Sequence, residues 1–193
     1  MRRAFFPVLM ISFVLLCSCA KGQPKEQKME ERFLEFRENI QNCYLMLNAE
    51  ITADYGDHVE AYTINSRETT EGTDLEVVEP ETIRGICATT DGETFSLAYE
   101  GVILDVGALT STGITPLSGL PVLASAMREG HVERCWEETY QERDALAVSL
   151  CTEKDTVITL WLDANDLTPF SAELAENGQT VLFYTVTDWS TNA

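Results

Sequence analysis

The chain has 193 residues, of which 45% are hydrophobic, and it carries 13 lysines and arginines against 32 aspartates and glutamates. This length suffices for one domain with a well-filled core and is short for two domains. The formal net charge of −19 argues against nucleic acid as a partner, because an acidic surface repels the phosphate backbone.

The first 18 residues have the layout of a secretory signal peptide. Arg2 and Arg3 precede an apolar run from Ala4 to Leu16, and small residues follow the run. The run is too short to span a bilayer, which takes about 20 apolar residues. We therefore predict an exported protein.

The segment Leu16-Cys17-Ser18-Cys19 resembles the lipobox of bacterial lipoproteins. The resemblance implies that the Cys19 thiol accepts a diacylglycerol and that the signal is cut just before it. Two or more acyl chains make such anchoring stable. The alternative is an ordinary secretory peptide cut near Ala20. We predict a lipid anchor at Cys19 that holds the protein on the extracytoplasmic face of the cell membrane.

Residues 19–28 are predicted to form a tether, and residues 29–193 a single domain. The tether carries three lysines against one glutamate, whereas the chain from Met29 onward has 8 basic and 31 acidic residues, a net charge of −23. Anionic lipid headgroups repel such a domain, so we expect the tether to lie near the membrane and the domain to stand off from it. Any polar spacer would serve the same purpose.

A helix is predicted at the start of the domain, over Met29–Asn39. Apolar residues recur there at spacings of 4, 3 and 4, with charged residues between them. The residues of this apolar stripe are Met29, Phe33, Phe36 and Ile40. A helix lying on the membrane surface is the alternative, but its acidic polar face argues against it.

From Cys43 the apolar residues recur at every second position, which is typical of strands. Asp91-Gly92 and Glu100-Gly101 are signals for tight turns between strands. The strands predicted in this half of the chain are Cys43–Asp54, His58–Thr69, Asp74–Glu79, Ile86–Thr90, Thr94–Tyr99 and Val102–Leu104.

The pattern changes at Thr112–Pro121, where glycines and prolines mark a loop. Pro121–Arg128 is predicted to be a short helix that ends at Gly130, after which the chain returns to strands from His131 to Trp189. The turns between these strands are placed near Glu142–Asp144, Lys154-Asp155, Asn165-Asp166 and Asn177-Gly178. The predicted fold class is α+β, with one large antiparallel sheet, an N-terminal helix and a helix inserted midway.

Four cysteines remain in the domain, and export permits disulfides between them. A hairpin turn centred on Arg143 places Cys135 directly opposite Cys151, within bridging reach, and we predict a disulfide between them. By elimination, Cys43 and Cys87 are the second candidate pair, with two buried free thiols as the alternative.

Two late segments are apolar on both faces. In Val157–Leu162 and Val181–Trp189, hydrophobic residues occupy odd and even positions alike, although a sheet with one solvated face alternates. Helices and loops that cover both faces would explain this pattern. The alternative is a hollow that takes an acyl chain or an apolar segment of a partner.

The sequence contains no recognisable catalytic or metal-binding motif. His58 and His131 lie outside any metal-ligand spacing, the domain has no Cys-x-x-Cys, and neither a nucleophile elbow nor a phosphate-binding glycine loop occurs. Acid pairs such as Glu137/Glu138 are inevitable among 32 acids and indicate a solvated surface rather than a glycosidase. We predict no enzymatic activity, no metal and no cofactor.

The order of these elements resembles the LolA/LppX-like family of envelope lipoproteins, over about residues 30–189. The segments that carry the resemblance are Thr115-Pro116-Leu117-Ser118 leading to Gly130, Thr159–Asp163, Leu167–Leu174 and Asn177-Gly178. The resemblance implies a half-barrel, in which helices plug the concave side of a long curved antiparallel sheet.

The family resemblance implies a binding function without catalysis, since the family's carriers hold lipoprotein acyl chains or lipids in the concave cavity. Because this chain is itself predicted to be lipidated, it looks more like the membrane-tethered relatives. Among them are clostridial germination lipoproteins of the GerS type, which bind and activate a cell-wall amidase. The resemblance therefore implies a tethered protein that binds a lipid, an acyl chain or a lipoprotein, and a regulator of a peptidoglycan hydrolase is the alternative.

Overall fold

The computed structural model describes residues 25–108, 114–152 and 156–192. Two α-helices lie in this part of the chain, α1 (Lys25–Ile40) and α2 (Pro116–Glu129), and a short 3-10 helix spans Glu81–Ile83. The strands are β1 (Tyr44–Asp54), β2 (Val59–Thr69), β3 (Gly72–Glu79), β4 (Cys87–Thr90), β5 (Thr94–Tyr99), β6 (Val102–Ala108), β7 (His131–Tyr140), β8 (Arg143–Cys151), β9 (Thr156–Asp163), β10 (Pro169–Glu176) and β11 (Gln179–Asn192).

All eleven strands form one open sheet in the order β6-β5-β4-β3-β2-β1-β11-β10-β9-β8-β7. Every neighbouring pair is antiparallel, and the pairing of β1 with β11 joins the two halves of the chain. The strands β6 and β7 are therefore the two edges. The predicted α+β class is confirmed, with a large curved antiparallel sheet, an N-terminal helix and a helix inserted midway.

Helix α1 buries the predicted apolar stripe. Met29, Phe33, Phe36 and Ile40 are its buried residues. The helix begins at Lys25, four residues before the predicted start, and Lys25 Nζ lies 2.8 Å from a carboxylate oxygen of Glu137 in β7. Sequence periodicity missed this first turn because its residues are all polar.

Helix α2 begins at Pro116, five residues before the predicted start at Pro121. Thr115 is the N-cap: its side chain accepts from the Ser118 backbone N–H, and the Ser118 side chain in turn accepts from the Thr115 backbone N–H. This reciprocal cap satisfies two of the amide donors that open a helix. Proline is favoured at the first helical position, which Pro116 occupies, so Pro121 lies inside the helix instead.

The register of the hairpin β7–β8 differs from the predicted one. Its turn residues, Gln141 and Glu142, have φ of 50° and 62°, so Tyr140 lies opposite Arg143. Two positive φ values are typical of the two-residue turns that match the twist of a hairpin. Neither residue is one that usually signals such a turn, which is why the sequence placed the turn centre on Arg143.

The predicted Cys135–Cys151 disulfide is therefore wrong. Cys135 lies opposite Val148, and Cys151 lies opposite His131, beyond a register shift near Val132. Both cysteines are free thiols in the structure. A disulfide needs its two Cα atoms within about 7 Å of each other, which favours direct opposition across the hairpin.

The second candidate pair, Cys43 and Cys87, does not form either, and both residues are free thiols. Cys43 immediately precedes β1 and Cys87 is the first residue of β4, with β2 and β3 between these strands. Three strand spacings amount to roughly 14 Å, beyond the reach of a disulfide.

The outer face of β9 is covered by the sheet's own side chains. Trp161 packs with Ala145, Ala147 and Phe170 in a second small cluster. The Trp161 ring stacks on Tyr140 with 4.0 Å between ring centroids, and its Nε1 donates to Glu138 at 2.6 Å. Aromatic residues from neighbouring strands thus explain why this segment is apolar on both faces.

Candidate binding surface

The concave face of the sheet is filled where the helices cover it. Phe33 of α1 and Leu120 and Met127 of α2 are fully buried in the main core cluster, together with Leu160 of β9 and Tyr184 of β11. Within the described residues, side chains of the protein itself occupy the place where the sequence allowed a hollow for an acyl chain.

Helix α2 lies unusually close to the sheet at Gly119. A Cβ atom on Gly119 would lie 2.1 Å from the hydroxyl oxygen of Tyr184 and 2.6 Å from Cδ1 of Leu182. A side chain at this position would force Tyr184, Leu182 or the helix to move, so glycine permits the close contact that fills the concave face here.

Two clefts open elsewhere on the described surface, and most of the residues that line them are polar or charged by type. One, of about 210 Å³, lies between the C-terminal part of α2 and the β3–β4 region, and Glu68, Thr90 and Arg128 are among its lining residues. The other, of about 490 Å³, lies beside the β1–β2 turn, where Tyr55 and Gln179 line it. Sites for small apolar ligands are lined mainly by hydrophobic and aromatic side chains, which are few among the lining residues of these two clefts.

The sheet extends beyond the helices on one side. Helix α1 packs mainly against β7, and α2 against β1, β2 and β8. The pairings place Leu75, Ala88, Leu97 and Leu104 in one row across β3, β4, β5 and β6, on the same face. Leu75 and Ala88 are buried, Leu97 is half-buried and Leu104 is 61% exposed. The concave apolar face therefore continues past the core and ends uncovered.

The hairpin β5–β6 carries a group of exposed apolar residues. Its large apolar residues are Tyr99, Val102, Ile103, Leu104 and Val106, all exposed, and we call them the hairpin surface. Ile103 is 74% exposed and Val102 60%. Single exposed hydrophobic residues are normal, but a contiguous group of this kind marks an interaction site.

The two faces of the hairpin both take part in this surface. Val102 lies opposite Tyr99 on the concave face, whereas Ile103 pairs with Ala98 on the outer face. The outer row continues through Cys87 to Glu76. Apolar side chains thus flank the free edge of β6 on either side.

The two edges of the sheet differ in protection. Strand β7 carries four charged residues and contacts α1. Strand β6 has the sequence VILDVGA, with Asp105 as its one charge. Natural sheets protect their edges with charges or with covering elements, because unpaired backbone groups pair readily with other chains. Among the residues that the structure describes, none protects the edge β6 in this way over Val102–Leu104.

The surroundings of the hairpin surface are strongly acidic. Between residues 71 and 108 the described chain has nine exposed acids and one basic residue, Arg84. The acids are Glu71, Asp74, Glu76, Glu79, Glu81, Asp91, Glu93, Glu100 and Asp105. The Arg84 guanidinium donates to the Val78 carbonyl at 2.9 Å. Amide groups of Thr94 and Glu93 donate to Asp91 and lower the pKa of that carboxyl, which therefore stays charged.

Cys19 and the turn at Lys154-Asp155 lie outside the described residues. Among those that are described, no group of three or more His, Cys, Asp or Glu is placed to hold a metal ion. No helix of this part of the chain is both long and apolar enough to cross a membrane.

Three of the solved structures that are similar to this chain are a LolA superfamily protein, LprF and the lipoprotein LppX. A LolA superfamily protein from Nitrosomonas europaea is 15% identical, with 83% of this chain and 92% of that chain covered and a TM-score of 0.48. LprF from Mycobacterium bovis is 12% identical (84% and 93% covered, TM-score 0.47). LppX from Mycobacterium tuberculosis is 10% identical (87% and 96% covered, TM-score 0.46).

A LolA/LppX-like fold, expected from the order of elements, agrees with these similarities, but at this level of identity and TM-score they assign no function. Neither a protein-family model nor a curated protein matches the chain. Similarity to the germination lipoproteins stays a prediction.

Sequence reasoning missed the hairpin surface. The signal was present as Val102-Ile103-Leu104, three consecutive apolar residues in a strand that follows a tight turn. A run of exposed apolar residues departs from the pattern expected of a strand with a solvated face. Its exposure depends on which part of the sheet α1 and α2 cover, and this tertiary placement is not encoded in the local pattern of residues 102–104.

Proposed function

We propose that this chain is a lipid-anchored envelope protein that binds a protein partner through its hairpin surface and catalyses no reaction. Residues 1–18 serve as the signal, Cys19 carries the lipid, and the domain stands on the extracytoplasmic face of the membrane. The partner is an envelope protein, and a peptidoglycan hydrolase that the binding regulates fits this class.

One observation carries the proposal: apolar side chains are exposed on both faces of β6, at an edge that no other strand of the described residues pairs with. A protein partner can cover both faces and pair with the edge. An acyl chain lying on the concave side would leave Ile103 exposed on the outer side and would itself stay largely in water. Ligand sites usually bury most of the surface of a small apolar ligand, so the geometry favours the protein.

An acyl chain of a lipid or lipoprotein is the second candidate. The row of Leu97 and Leu104 supports it, since this row continues the concave apolar face to the open rim of the sheet. Acyl binding needs the concave residues alone, whereas a protein partner also uses Ile103.

The anchor is tested by fractionation. The Cys19→Ser variant is expected to leave the membrane fraction and to appear as a soluble exported protein, because it lacks the thiol that takes the lipid. A Cys17→Ser variant is the matched control and is expected to remain membrane-bound. Retention of the Cys19→Ser variant in the membrane would contradict the proposed anchor.

The binding function is tested with the exported Cys19→Ser chain as bait. Ile103→Lys is expected to lose an envelope protein that the unaltered bait retains. Val59→Lys is the matched control, since Val59 is 60% exposed and lies on β2, away from the edge. Equal retention by both variants would contradict the proposal. Native mass spectrometry that finds bound acyl species, lost in Leu104→Ser and kept in Ile103→Lys, would favour the second candidate.

A further inference from the structure

We propose that the occupant of the β6 edge is an extended segment of the partner in which a short run of apolar residues is flanked by basic residues. It adds to the sheet as a twelfth strand beside Val102–Asp105. This inference rests on the proposed function and specifies the chemistry of its partner.

The backbone geometry of β6 favours a partner segment in an extended conformation. Its pairing with β5 runs without interruption from Val102 opposite Tyr99 to Asp105 opposite Ser96. Beyond that point the register shifts, and Gly107 has a φ of 83°, so the regular edge ends there. The N–H and C=O groups on the free side of Val102–Asp105 can pair with four or five residues of a strand, roughly 13 Å of chain.

The side chains of β6 favour apolar residues on the partner strand that would pair with it. A strand placed beside β6 sends its side chains alternately to the concave and the outer face. On the concave face they would meet Val102 and Leu104, and on the outer face Ile103. Cross-strand apolar pairs of this kind stabilise a sheet.

The acidic residues around β6 favour a partner segment that carries basic residues. Glu93 and Glu100 occupy the turns at the two ends of β5, and Asp105 lies within β6 itself. The surrounding 71–108 region has nine acids and one arginine. Lysines or arginines flanking the apolar residues of the occupant would neutralise this field and speed encounter at low salt.

The same charges disfavour two other occupants. A second copy of this chain would bring another Asp105 and another acidic turn to the same edge, and like charges directly opposite each other destabilise a sheet. A fatty acid or an anionic phospholipid would bring its negative headgroup into the acidic region.

The inference is tested by selecting random 12-residue peptides displayed on phage against the full exported Cys19→Ser chain. Peptides that bind the Ile103→Lys variant are removed before each round. The enriched peptides are expected to contain a short run of apolar residues flanked by lysine or arginine. They should bind the Val59→Lys variant as tightly as the unaltered chain, and Ile103→Lys at least tenfold more weakly.

The charge contribution has its own matched pair of variants. Glu93→Lys combined with Glu100→Lys is expected to weaken binding of the selected peptides and to reduce its dependence on salt. Glu35→Lys combined with Glu38→Lys changes the net charge equally on an exposed face of α1 and is expected to leave binding unchanged. Equal effects of the two pairs would overturn the claim that acids near the hairpin select the partner.

Hydrogen exchange separates strand addition from other modes of binding. Within residues 102–105, the amides directed to the free side of β6 are expected to exchange freely in the chain alone and to slow when a selected peptide is bound. The inference is overturned by an enriched set without basic residues, by the absence of any enriched set, or by a dimer that protects these amides without peptide. A partner lost in Ile103→Lys that leaves the exchange of these amides unchanged would uphold the proposed function and refute strand addition.

Discussion

At the scale of single residues, the contact between Gly119 and Tyr184 decides how closely α2 approaches the sheet. The Tyr184 ring is fully buried, and its hydroxyl has no hydrogen-bond partner among the described residues. Burial raises the pKa of this hydroxyl, which therefore stays protonated. An unpartnered buried polar group costs free energy, so the protein keeps this tyrosine at the expense of stability.

Gly119→Ala is expected to lower the free energy of unfolding by about 1–3 kcal/mol, because the new methyl group overlaps the Tyr184 hydroxyl. Tyr184→Phe alone is expected to be neutral or stabilising, and combined with Gly119→Ala it should recover part of the loss. Urea denaturation measures all three. Ser125→Ala, at an exposed position of α2, controls for the higher helix propensity of alanine. A stabilised Gly119→Ala protein would contradict the close packing.

Glu173 gives a stability effect that depends on pH. Burial, and then the charge of Glu138, raises the pKa of the Glu173 carboxyl in the folded state. The folded protein thus holds this proton more tightly than the unfolded chain, and stability is lost as pH rises from the unfolded pKa through the folded one. Glu173→Gln is expected to raise the Tm at pH 7 and to change it little at pH 3.5. An equal shift of the Tm at both pH values would contradict the raised pKa of Glu173 as the cause.

The cysteines are expected to differ in reactivity. Cys87 is exposed, whereas Cys135 is buried and burial raises the pKa of its thiol to about 11. Alkylation of the native protein at pH 8 should therefore label Cys87 well before Cys135, since the thiolate is the reactive form. Peptide mapping shows which of the two cysteines is alkylated first. Recovery of a Cys135–Cys151 disulfide from the exported protein would contradict the register of β7–β8.

At the scale of secondary-structure elements, Arg128 links the ends of α1, α2, β1 and β2. Its guanidinium donates to Glu68 at 2.7 Å and to the Cys43 carbonyl at 2.8 Å, and the Glu68 carboxylate also accepts from the Leu45 amide at 2.8 Å. The last turn of α2, the end of β2 and the start of β1 thus meet at one ion pair, and the Ile40 carbonyl adds the end of α1 at 3.3 Å. Both charged side chains are only 15% exposed.

Arg128→Met is expected to lower the free energy of unfolding by roughly 3 kcal/mol, because Glu68 and two carbonyls lose their donor in a largely buried place. Arg67→Met is the control. Its pair with Asp74 is 3.9 Å long and exposed, and exposed pairs contribute about 0–1 kcal/mol. Chemical denaturation of both variants gives the comparison, and similar losses would argue against the special role of Arg128.

At the scale of the whole molecule, the sheet is longer than the helices can cover. Sequence periodicity predicted the apolar stripe of α1, and Glu100-Gly101 and Asn177-Gly178 predicted two turns, because these signals are local. The Gln141-Glu142 turn and the start of α2 were missed, since one lacks turn residues and the other depends on the cap at Thr115. Exposure of Ile103 could not be read from the sequence, because it depends on which part of the sheet the two helices cover.

Hydrogen exchange of the lipidated protein in membranes from the cells that produce it tests the central claim most directly. The comparison is with the purified Cys19→Ser chain. We expect the amides of residues 102–105 to exchange more slowly in the membranes, where the partner is present, and Ile103→Lys to abolish the difference while Val59→Lys preserves it. Equal exchange of these amides in both preparations would contradict a partner bound at the hairpin surface.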